Sequence, residues 1–310
     1  MTSVRRGSLA LAVAAALTAG SACTTAGSSA YPASSGPSGS GGVAADDPGE
    51  RREAGAGTAS AAALRSAERA TSAADSARVE SSTTMGAMMS MKATGALSWG
   101  DGLTGTLTLT YTGGTVAEAM RRLGSTTMEA RYLPDAYYAR MGDAFAAQAG
   151  GRHWLRYVYQ DLEHLADGSG AQLGDQMRDT APHQSVKLLL ACGDARKVGE
   201  EWVRGDRTTH YTGTVDVAGL ATRDSGLDED QVADLKERLT RAGVTTQTVD
   251  IWVDDRDLLV KKVERAQTAS GELTQTAYYS DYGVKVSAEV PPAGDTKDFK
   301  ELVGGHGSLS

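Results

Sequence analysis

The chain has 310 residues, with 31 basic and 39 acidic side chains and a formal net charge of −8 at pH 7. This acidic balance argues against nucleic-acid binding, which needs a basic surface for phosphate contacts. Two cysteines exclude a disulfide framework and a multi-cysteine metal site. No apolar run reaches the roughly 18 residues that a transmembrane helix requires, so the composition is that of an acidic globular protein.

The N-terminal residues have the layout of a bacterial export signal. Two arginines at 5–6 precede an apolar stretch over 9–17, and small residues then lead to Cys23. This is a secretory signal peptide, too short to serve as a transmembrane helix. The order Gly-Ser-Ala-Cys over 20–23 resembles a bacterial lipobox, although Gly20 stands where Leu, Val or Ile is more common. We therefore predict a lipid anchor on Cys23 and a location on the extracytoplasmic side of the cell membrane, with secretion after a Gly-x-Ala site as the alternative.

A flexible tether is expected after the signal. Gly, Ala, Ser and Pro fill 26 of the 37 positions over 24–60, and such a segment buries too little apolar surface to offset the entropy cost of ordering. The predicted organisation is a signal peptide over 1–22, lipidated Cys23 and a disordered tether over 23–60, a folded domain over 61–303 and a flexible tail over 304–310.

The folded part is expected to begin with a helix over 61–79, where Ala-rich spacing is close to the helical period. From 85 to 99 the period changes to two, with apolar or small residues mainly at odd positions, and a turn signal follows at 100–102. Residues 103–111 alternate again, with threonine at the even positions of 104–112. The pattern predicts a hairpin whose odd-numbered residues face the interior and whose threonines face water.

Most of the remaining chain is typical of strands. The candidate strands are Thr127–Leu133, Ala136–Met141, Trp154–Tyr159, Glu201–Arg204, His210–Val217, Thr246–Val253, Leu258–Gln267, Glu272–Ser280 and Val284–Val290. Helices are predicted within 161–191, interrupted at Pro182, and over Asp228–Ala242. The expected fold is α+β, a large antiparallel sheet with helices covering its apolar face.

Catalytic and metal-binding patterns are absent from the sequence. The five histidines lack ligand spacing, and no nucleophile elbow, phosphate loop or dinucleotide fingerprint occurs. The segment 223–226 lacks the glycines of a serine-protease loop, and the acidic segment 254–257 is typical of a hairpin turn. We predict no catalytic residue, no metal ligand and no cofactor.

The apolar face of the first strands combines methionines with small residues: Met85, Met89, Met91, Ala87, Ala93, Gly95 and Gly105. Small residues leave room and methionines adapt to irregular apolar guests, so this pattern fits an unfilled cavity. The alternative is that helices pack onto the face and close it.

The C-terminal third carries motifs that resemble a known group of lipoproteins. The segments are Gly-Glu-Glu-Trp-Val-Arg-Gly over 199–205, Thr-His-Tyr-Thr-Gly-Thr-Val-Asp over 209–216, Val-Asp-Ile-Trp-Val-Asp over 249–254, Tyr-Ser-Asp-Tyr-Gly over 279–283 and Val-Pro-Pro over 290–292. Together with Cys23, they resemble the actinobacterial LppX/LprAFG lipoproteins, relatives of the LolA/LolB lipoprotein carriers. The resemblance implies a half barrel, a strongly curved sheet whose concave face is covered by helices around a lipid-holding cavity.

The expected function is therefore non-enzymatic: a membrane-anchored lipoprotein that binds an acylated lipid or glycolipid and carries it across the cell envelope. The candidate ligand-binding residues are Met89, Met91, Leu107 and Leu109. The expected partners are the lipid or glycolipid, the membrane through Cys23 and envelope transport proteins, with no nucleic acid. The alternative is an envelope binding or sensor module with a filled core that docks another protein. A hydrolase of envelope lipids has no nucleophile in the sequence to support it.

Overall fold

A computed structural model describes residues 48–163, 180–191, 194–218, 229–241, 243–268 and 271–304. Within these residues, twelve strands form one sheet in the order β12-β6-β5-β4-β3-β2-β1-β11-β10-β9-β8-β7. The strands are β1 Ser76–Met85, β2 Met89–Ser98, β3 Thr104–Gly113, β4 Thr127–Tyr132, β5 Ala136–Arg140, β6 Trp154–Val158, β7 Arg196–Val203, β8 Asp206–Asp216, β9 Thr246–Asp254, β10 Leu259–Thr268, β11 Gly271–Ser280 and β12 Thr296–Asp298.

The sheet consists of two antiparallel meanders that meet at its centre. Strands β1 to β6 run outward from the centre in chain order, and β7 to β11 return from the opposite edge. The two halves join where β1 pairs with β11, and β12 adds a parallel edge strand beside β6. Antiparallel neighbours need only short connections, whereas the β1–β11 contact joins segments that are far apart in the chain.

Helices cover one face of this sheet, which we call the inner face. The helices are α1 Pro48–Ala73, α2 Gly114–Arg122, α3 Asp143–Ala146, α4 Tyr159–Glu163, α5 Pro182–Ala191, α6 Glu229–Arg241 and α7 Phe299–Gly304, with a 3₁₀ turn at Ala293–Asp295. Helices α1 and α5 pack on each other, and α5 also contacts β8, β9 and β10. Buried side chains of both helices join those of the inner face in the main core.

Side-chain hydrogen bonds fix the end of α1 to the sheet. The buried hydroxyl Oγ1 of Thr71 accepts a hydrogen bond from the backbone N–H of Leu259 at 3.1 Å. One residue further on, the carbonyl of Ser72 accepts a hydrogen bond from the indole Nε1 of Trp99 at 3.1 Å. The last turn of the helix is therefore attached to both halves of the sheet.

Two glycines lie opposite leucines where β2 and β3 pair. Gly95 faces Leu107 and Gly105 faces Leu97, and their φ angles are 158° and 152°. A Cβ at Gly105 would overlap the carbonyl oxygen of Ala96 and lie 2.9 Å from Cδ2 of Leu97. Glycine inside a strand is typical of a tight bend or a close approach of backbone, and here no larger residue fits.

The α+β class with a large antiparallel sheet and helices on one face is confirmed. The hairpin of β2 and β3 is also confirmed, since Leu107 and Leu109 are buried and Thr108 is exposed. Strands β4, β5, β6, β9, β10 and β11 lie within one or two residues of their predicted bounds, and β7 and β8 begin earlier. In the predicted helical segment 161–191, one helix ends at Glu163 and another begins at Pro182, and residues 164–179 lie outside the described residues. The helix at Glu229–Arg241 is present, while Asp228 and Ala242 also lie outside the described residues.

Two predicted elements are wrong. The first helix begins at Pro48 and ends at Ala73, and residues 76–79 belong to β1 instead, because Asp75 adopts a left-handed conformation with a φ of 59° that ends the helix. The segment Val284–Val290 forms no strand, although its side chains alternate between half-buried and exposed. Alternation alone makes no strand where no neighbouring strand pairs with it. In addition, Met85 ends β1 and a turn at 86–88 precedes β2, so the alternation from 85 spans two strands.

The N-terminal boundary also differs in position. Residues 48–60, which composition assigned to the tether, belong to α1, and the hydroxyl of Ser60 accepts a hydrogen bond from the N–H of Lys197 at 3.3 Å. The signal peptide, Cys23 and the rest of the tether lie outside the described residues. None of the helices in the described part is both long and apolar enough to cross a bilayer.

Candidate functional site

The four predicted ligand-binding residues lie together on the inner face. Met89 and Met91 belong to β2, Leu107 and Leu109 belong to β3, and all four contribute to the main core. Exposure is 7% for Met89, 4% for Leu107 and 6% for Leu109, while Met91 is half-buried. We call these four residues the apolar patch.

Helix α2 covers the patch from the side of the β1–β2 turn. Its residues Val116 and Met120 are buried in the same core, and the N–H of Val116 donates a hydrogen bond to the carbonyl of Met88 at 3.1 Å. Arginines in the last turn of α2 complement its dipole. The helix therefore acts as a cover over one side of the patch.

The inner face has a sealed end and an open end. At the sealed end, where β1 begins, Ala77, Leu97 and Leu259 are fully buried. At the open end, where β1 turns into β2, Thr83 and Met89 are buried, but five inward-facing side chains are half-buried: Met85, Met91, Tyr111, Leu273 and Gln275. Solvent therefore reaches the inner face beside the apolar patch.

A polar cluster interrupts the apolar inner face on β9 and β10. Lys262 is 4% exposed, and its Nζ donates hydrogen bonds to the hydroxyl of Ser185 at 2.8 Å and to Oε1 of Glu264 at 3.2 Å. The side-chain amide of Gln247 donates to the other carboxylate oxygen of Glu264 at 3.3 Å. We call Ser185, Gln247, Lys262 and Glu264 the polar cluster. Removing two charges from water is costly, and the pair is tolerated because each charge has hydrogen-bonding partners.

Sequence reasoning missed this cluster for an identifiable reason. Counting in twos from the inward-facing Leu259 would place Lys262 and Glu264 on the outer face. However, a β-bulge between Leu259 and Lys261 inserts one extra residue, and the alternation reverses after it. Lys262 then pairs with Ile251, which is fully buried in the main core.

Stacked aromatic side chains fill the inner face on β4 to β6. The rings of Tyr132 and Tyr137 meet edge to face at 5.1 Å, and the ring of Tyr157 stacks on Phe299 of α7 at 4.7 Å. Burial raises the pKa of Tyr132 and Tyr157 well above the usual value for tyrosine. Their hydroxyls therefore remain protonated, and this region supplies no titrating group near neutral pH.

The acidic segment 254–257 forms a turn between β9 and β10. The carboxylate of Asp254 accepts hydrogen bonds at 2.9 Å from the N–H groups of Arg256 and Leu258, which confirms a hairpin turn. Within the described residues, no group of three or more His, Cys, Asp or Glu side chains is arranged to hold a metal ion.

Fold and site together define a protein whose antiparallel sheet, covered by helices, presents an apolar patch next to a polar cluster. No family model matches the chain. The chain is 58% identical over 308 residues to the "Putative lipoprotein SCO4650" of Streptomyces coelicolor, with 99% of each chain covered. It is 55% identical over 243 residues to an uncharacterized 31.2 kDa protein of Streptomyces griseus encoded in the rplA-rplJ intergenic region, which covers 78% of this chain and 80% of the relative. The chain belongs to the same family as SCO4650.

Two solved structures, one of them of a lipoprotein, are also similar to this chain. The crystal structure of LppX from Mycobacterium tuberculosis has a TM-score of 0.46 and 16% identity, covering 75% of this chain and 99% of LppX. The structure of LprF from Mycobacterium bovis has a TM-score of 0.39 and 12% identity, covering 76% of this chain and 98% of LprF. The predicted relationship to lipoproteins is confirmed, and it rests on the S. coelicolor relative, which matches nearly the whole chain.

Proposed function

We propose that this protein is a lipid-anchored, non-enzymatic lipoprotein that binds the acyl chain of a lipid on the inner face of its sheet. The observation that carries this proposal is the apolar patch, which is covered by α2 on one side and adjoins the half-exposed open end. Each Å² of acyl-chain surface that is removed from water there contributes about 25 cal/mol to the free energy of binding. The two methionines of the patch can adapt to chains of different shape.

The lipid anchor is proposed at Cys23, on the extracytoplasmic side of the membrane. The description of the S. coelicolor relative as a lipoprotein supports an anchor. Cys23→Ala should move the protein from the membrane fraction into the medium. Cys192→Ala is the matched control, because it removes the other cysteine of the chain, and it should leave the protein in the membrane fraction. Membrane retention of the Cys23 variant would contradict the anchor.

Bound lipid can be detected directly. Native mass spectrometry of the chain carrying Cys23→Ala, purified from cells without detergent, should show a protein mass increased by that of an acylated lipid. A fluorescent fatty acid should bind to the same preparation and be displaced by the extracted lipid. Absence of both signals would contradict the proposal.

A second function is favoured by the low exposure of Met89, Leu107 and Leu109. If these side chains already fill the interior, the protein is a binding or sensor module that docks another envelope protein. Met91→Trp separates the two functions, because Met91 lies at the half-exposed edge of the patch. In a lipid-binding site it should weaken fatty-acid binding with little loss of stability, whereas in a filled core it should cost about 1–3 kcal/mol by overpacking. Thr108→Trp, on the exposed outer face, is the control for both measurements.

We further propose that the protein passes its lipid or glycolipid to other envelope components. The open end supports this step, because a chain can enter and leave there without unfolding the sealed end. Transfer of a labelled lipid from donor to acceptor vesicles should be faster with the protein than without it, and Met91→Trp should reduce the acceleration. Equal transfer rates with and without the protein would contradict a carrier role.

A further inference from the structure

The polar cluster lies on the same inner face as the apolar patch and in line with it. Lys262 pairs with Ala277, which pairs with Ser81, and Ser81 pairs with Ala93, the partner of Leu109. The row therefore crosses the sheet from β10 to β3, about 19 Å at the usual strand spacing. The three residues between Lys262 and Leu109 are small, and Ala277 and Ala93 are buried in the main core.

A second row brings the open end to the same cluster. Glu264 pairs with Gln275, Gln275 with Thr83, and Thr83 with Met91 of the patch. Glu264, Gln275 and Met91 are half-buried, whereas Lys262 in the adjacent row is 4% exposed. The carboxylate of Glu264 is therefore the charged group of the cluster that a ligand can reach from solvent.

Glu264 retains hydrogen-bonding capacity. An ionised carboxylate offers about four acceptor positions, and from the described residues the carboxylate of Glu264 accepts one hydrogen bond from Lys262 and one from Gln247. Lys262 is also fixed by the hydroxyl of Ser185 on α5. The geometry thus presents a positioned acceptor in the row that leads through Gln275 to Met91 of the apolar patch.

The charge of the cluster selects among lipid headgroups. The charges of Lys262 and Glu264 cancel. The other members of the cluster, Ser185 and Gln247, are uncharged, and so are Gln275 and Thr83 in the row of Glu264. An anionic headgroup gains no net attraction there, and it would have to compete with Glu264 for the ammonium group of Lys262. An uncharged hydroxyl, in contrast, can donate to Glu264 without disturbing the pair.

We propose that the polar cluster is a headgroup site in which Glu264 accepts hydrogen bonds from the hydroxyls of an uncharged lipid headgroup, of glycerol or sugar type. The acyl chain then lies along Gln275 and Thr83 towards Met91 of the apolar patch, because this row contains half-buried side chains. This inference rests on the proposed lipid binding. Lys262 and Gln247 act as positioning residues that hold the carboxylate in place.

The test compares four ligands with the same acyl chain on the chain carrying Cys23→Ala. The ligands are monopalmitoyl glycerol, palmitoyl glucose, palmitoyl lysophosphatidic acid and methyl palmitate, each measured by displacement of a fluorescent fatty acid. The two hydroxylated, uncharged ligands should bind about tenfold more tightly than methyl palmitate, since a hydrogen bond to a charged group contributes that much or more. Lysophosphatidic acid also carries a hydroxyl, but its phosphate would lie near the carboxylate of Glu264, so it should bind less tightly than the two uncharged ligands. Their relative affinities distinguish a glycerol from a sugar headgroup.

Glu264→Gln should weaken the binding of the two hydroxylated ligands about tenfold. The affinity for methyl palmitate should stay unchanged, because methyl palmitate has no hydroxyl to donate. Glu272→Gln, the same change at an exposed position of β11, is the matched control and should alter none of the affinities. Thermal melting of both variants checks that they fold, and the comparison of ligands on the parent chain needs no substitution at the cluster.

Three outcomes would overturn the inference. Tighter binding of lysophosphatidic acid would show that the site selects an anion, and equal binding of all four ligands would show that it recognises no headgroup, while lipid binding itself stands in both cases. Absence of binding by any ligand, including methyl palmitate, would overturn the proposed function together with this inference.

Discussion

Replacing Gly105 by alanine tests whether the β2–β3 pair can be built only with glycine. The residue has a φ of 152°, a region that costs a residue with a side chain about 1–3 kcal/mol. The new methyl group would also overlap the carbonyl oxygen of Ala96 and lie 2.9 Å from Cδ2 of Leu97, and overpacking of this kind costs roughly 1–3 kcal/mol. We expect a loss of about 3 kcal/mol, in the lower half of the combined range of about 2–6 kcal/mol. That loss corresponds to a decrease in Tm of about 6–12 °C for a domain of this size.

Urea unfolding followed by tryptophan fluorescence measures the loss. Gly199→Ala is the matched control, because nothing lies within 4 Å of a Cβ at Gly199 on the edge strand β7; it should be neutral or stabilise by up to about 1 kcal/mol. Gly95→Ala should behave like Gly105→Ala, since its methyl group would meet the carbonyl oxygen of Thr106. If Gly105→Ala is as stable as the parent, or Gly199→Ala loses as much, the reasoning about the strand pair is refuted.

Three further predictions concern the core. Leu107→Asp should lower the free energy of unfolding by roughly 3 kcal/mol or more by burying an unpaired charge. Thr108→Asp, on the exposed face, should lower it by less than about 1 kcal/mol. Equal losses of the two variants in urea titrations would contradict the strand register of β3. Thr71→Val should lower the free energy of unfolding by about 1–3 kcal/mol in the same assay, because the buried N–H of Leu259 loses its acceptor. An unchanged free energy of unfolding would show that this hydrogen bond does not fix α1 to the sheet. Burial, with a smaller contribution from a nearby lysine, lowers the pKa of His183 to about 4. Stability should therefore fall as the pH drops from about 6.5 towards 4, because the unfolded chain binds more protons there; His183→Gln should flatten that dependence, and an unchanged pH profile would exclude His183 as its source.

Local patterns predicted the strands well because alternation and hairpin turns are encoded by neighbouring residues. The inward orientation of Leu107 and Leu109 in β3 could be predicted from the period of two and from the glycine-rich turn that precedes the strand. The start of α1 could also have been predicted from the sequence. Proline is favoured in the first turn of a helix, and here Pro48 follows two aspartates. The Gly- and Ser-rich composition outweighed that signal.

Long-range features could not be predicted in this way. The pairing of β1 with β11 brings together residues about 200 positions apart, and no local pattern specifies which strands become neighbours. The bulge after Leu259 is a second case. One inserted residue turns Lys262 and Glu264 from the outer face to the inner face. The polar cluster therefore depends on a backbone irregularity that cannot be predicted from the residue types.

The two ends of the inner face require different explanations. Packing accounts fully for the sealed end, where Leu97 and Leu259 are apolar and completely buried. Packing does not account for Lys262 and Glu264, because apolar residues of similar volume in place of a buried ion pair are often neutral or stabilising. The pair therefore contributes something other than stability, and its position beside the half-exposed Gln275 and within one row of the apolar patch gives it access to an amphiphile. Under the proposed function, a lipid would find on this face both an apolar surface for its chain and an acceptor for its hydroxyls. Exchange at the open end and selection of the headgroup would then take place at one site.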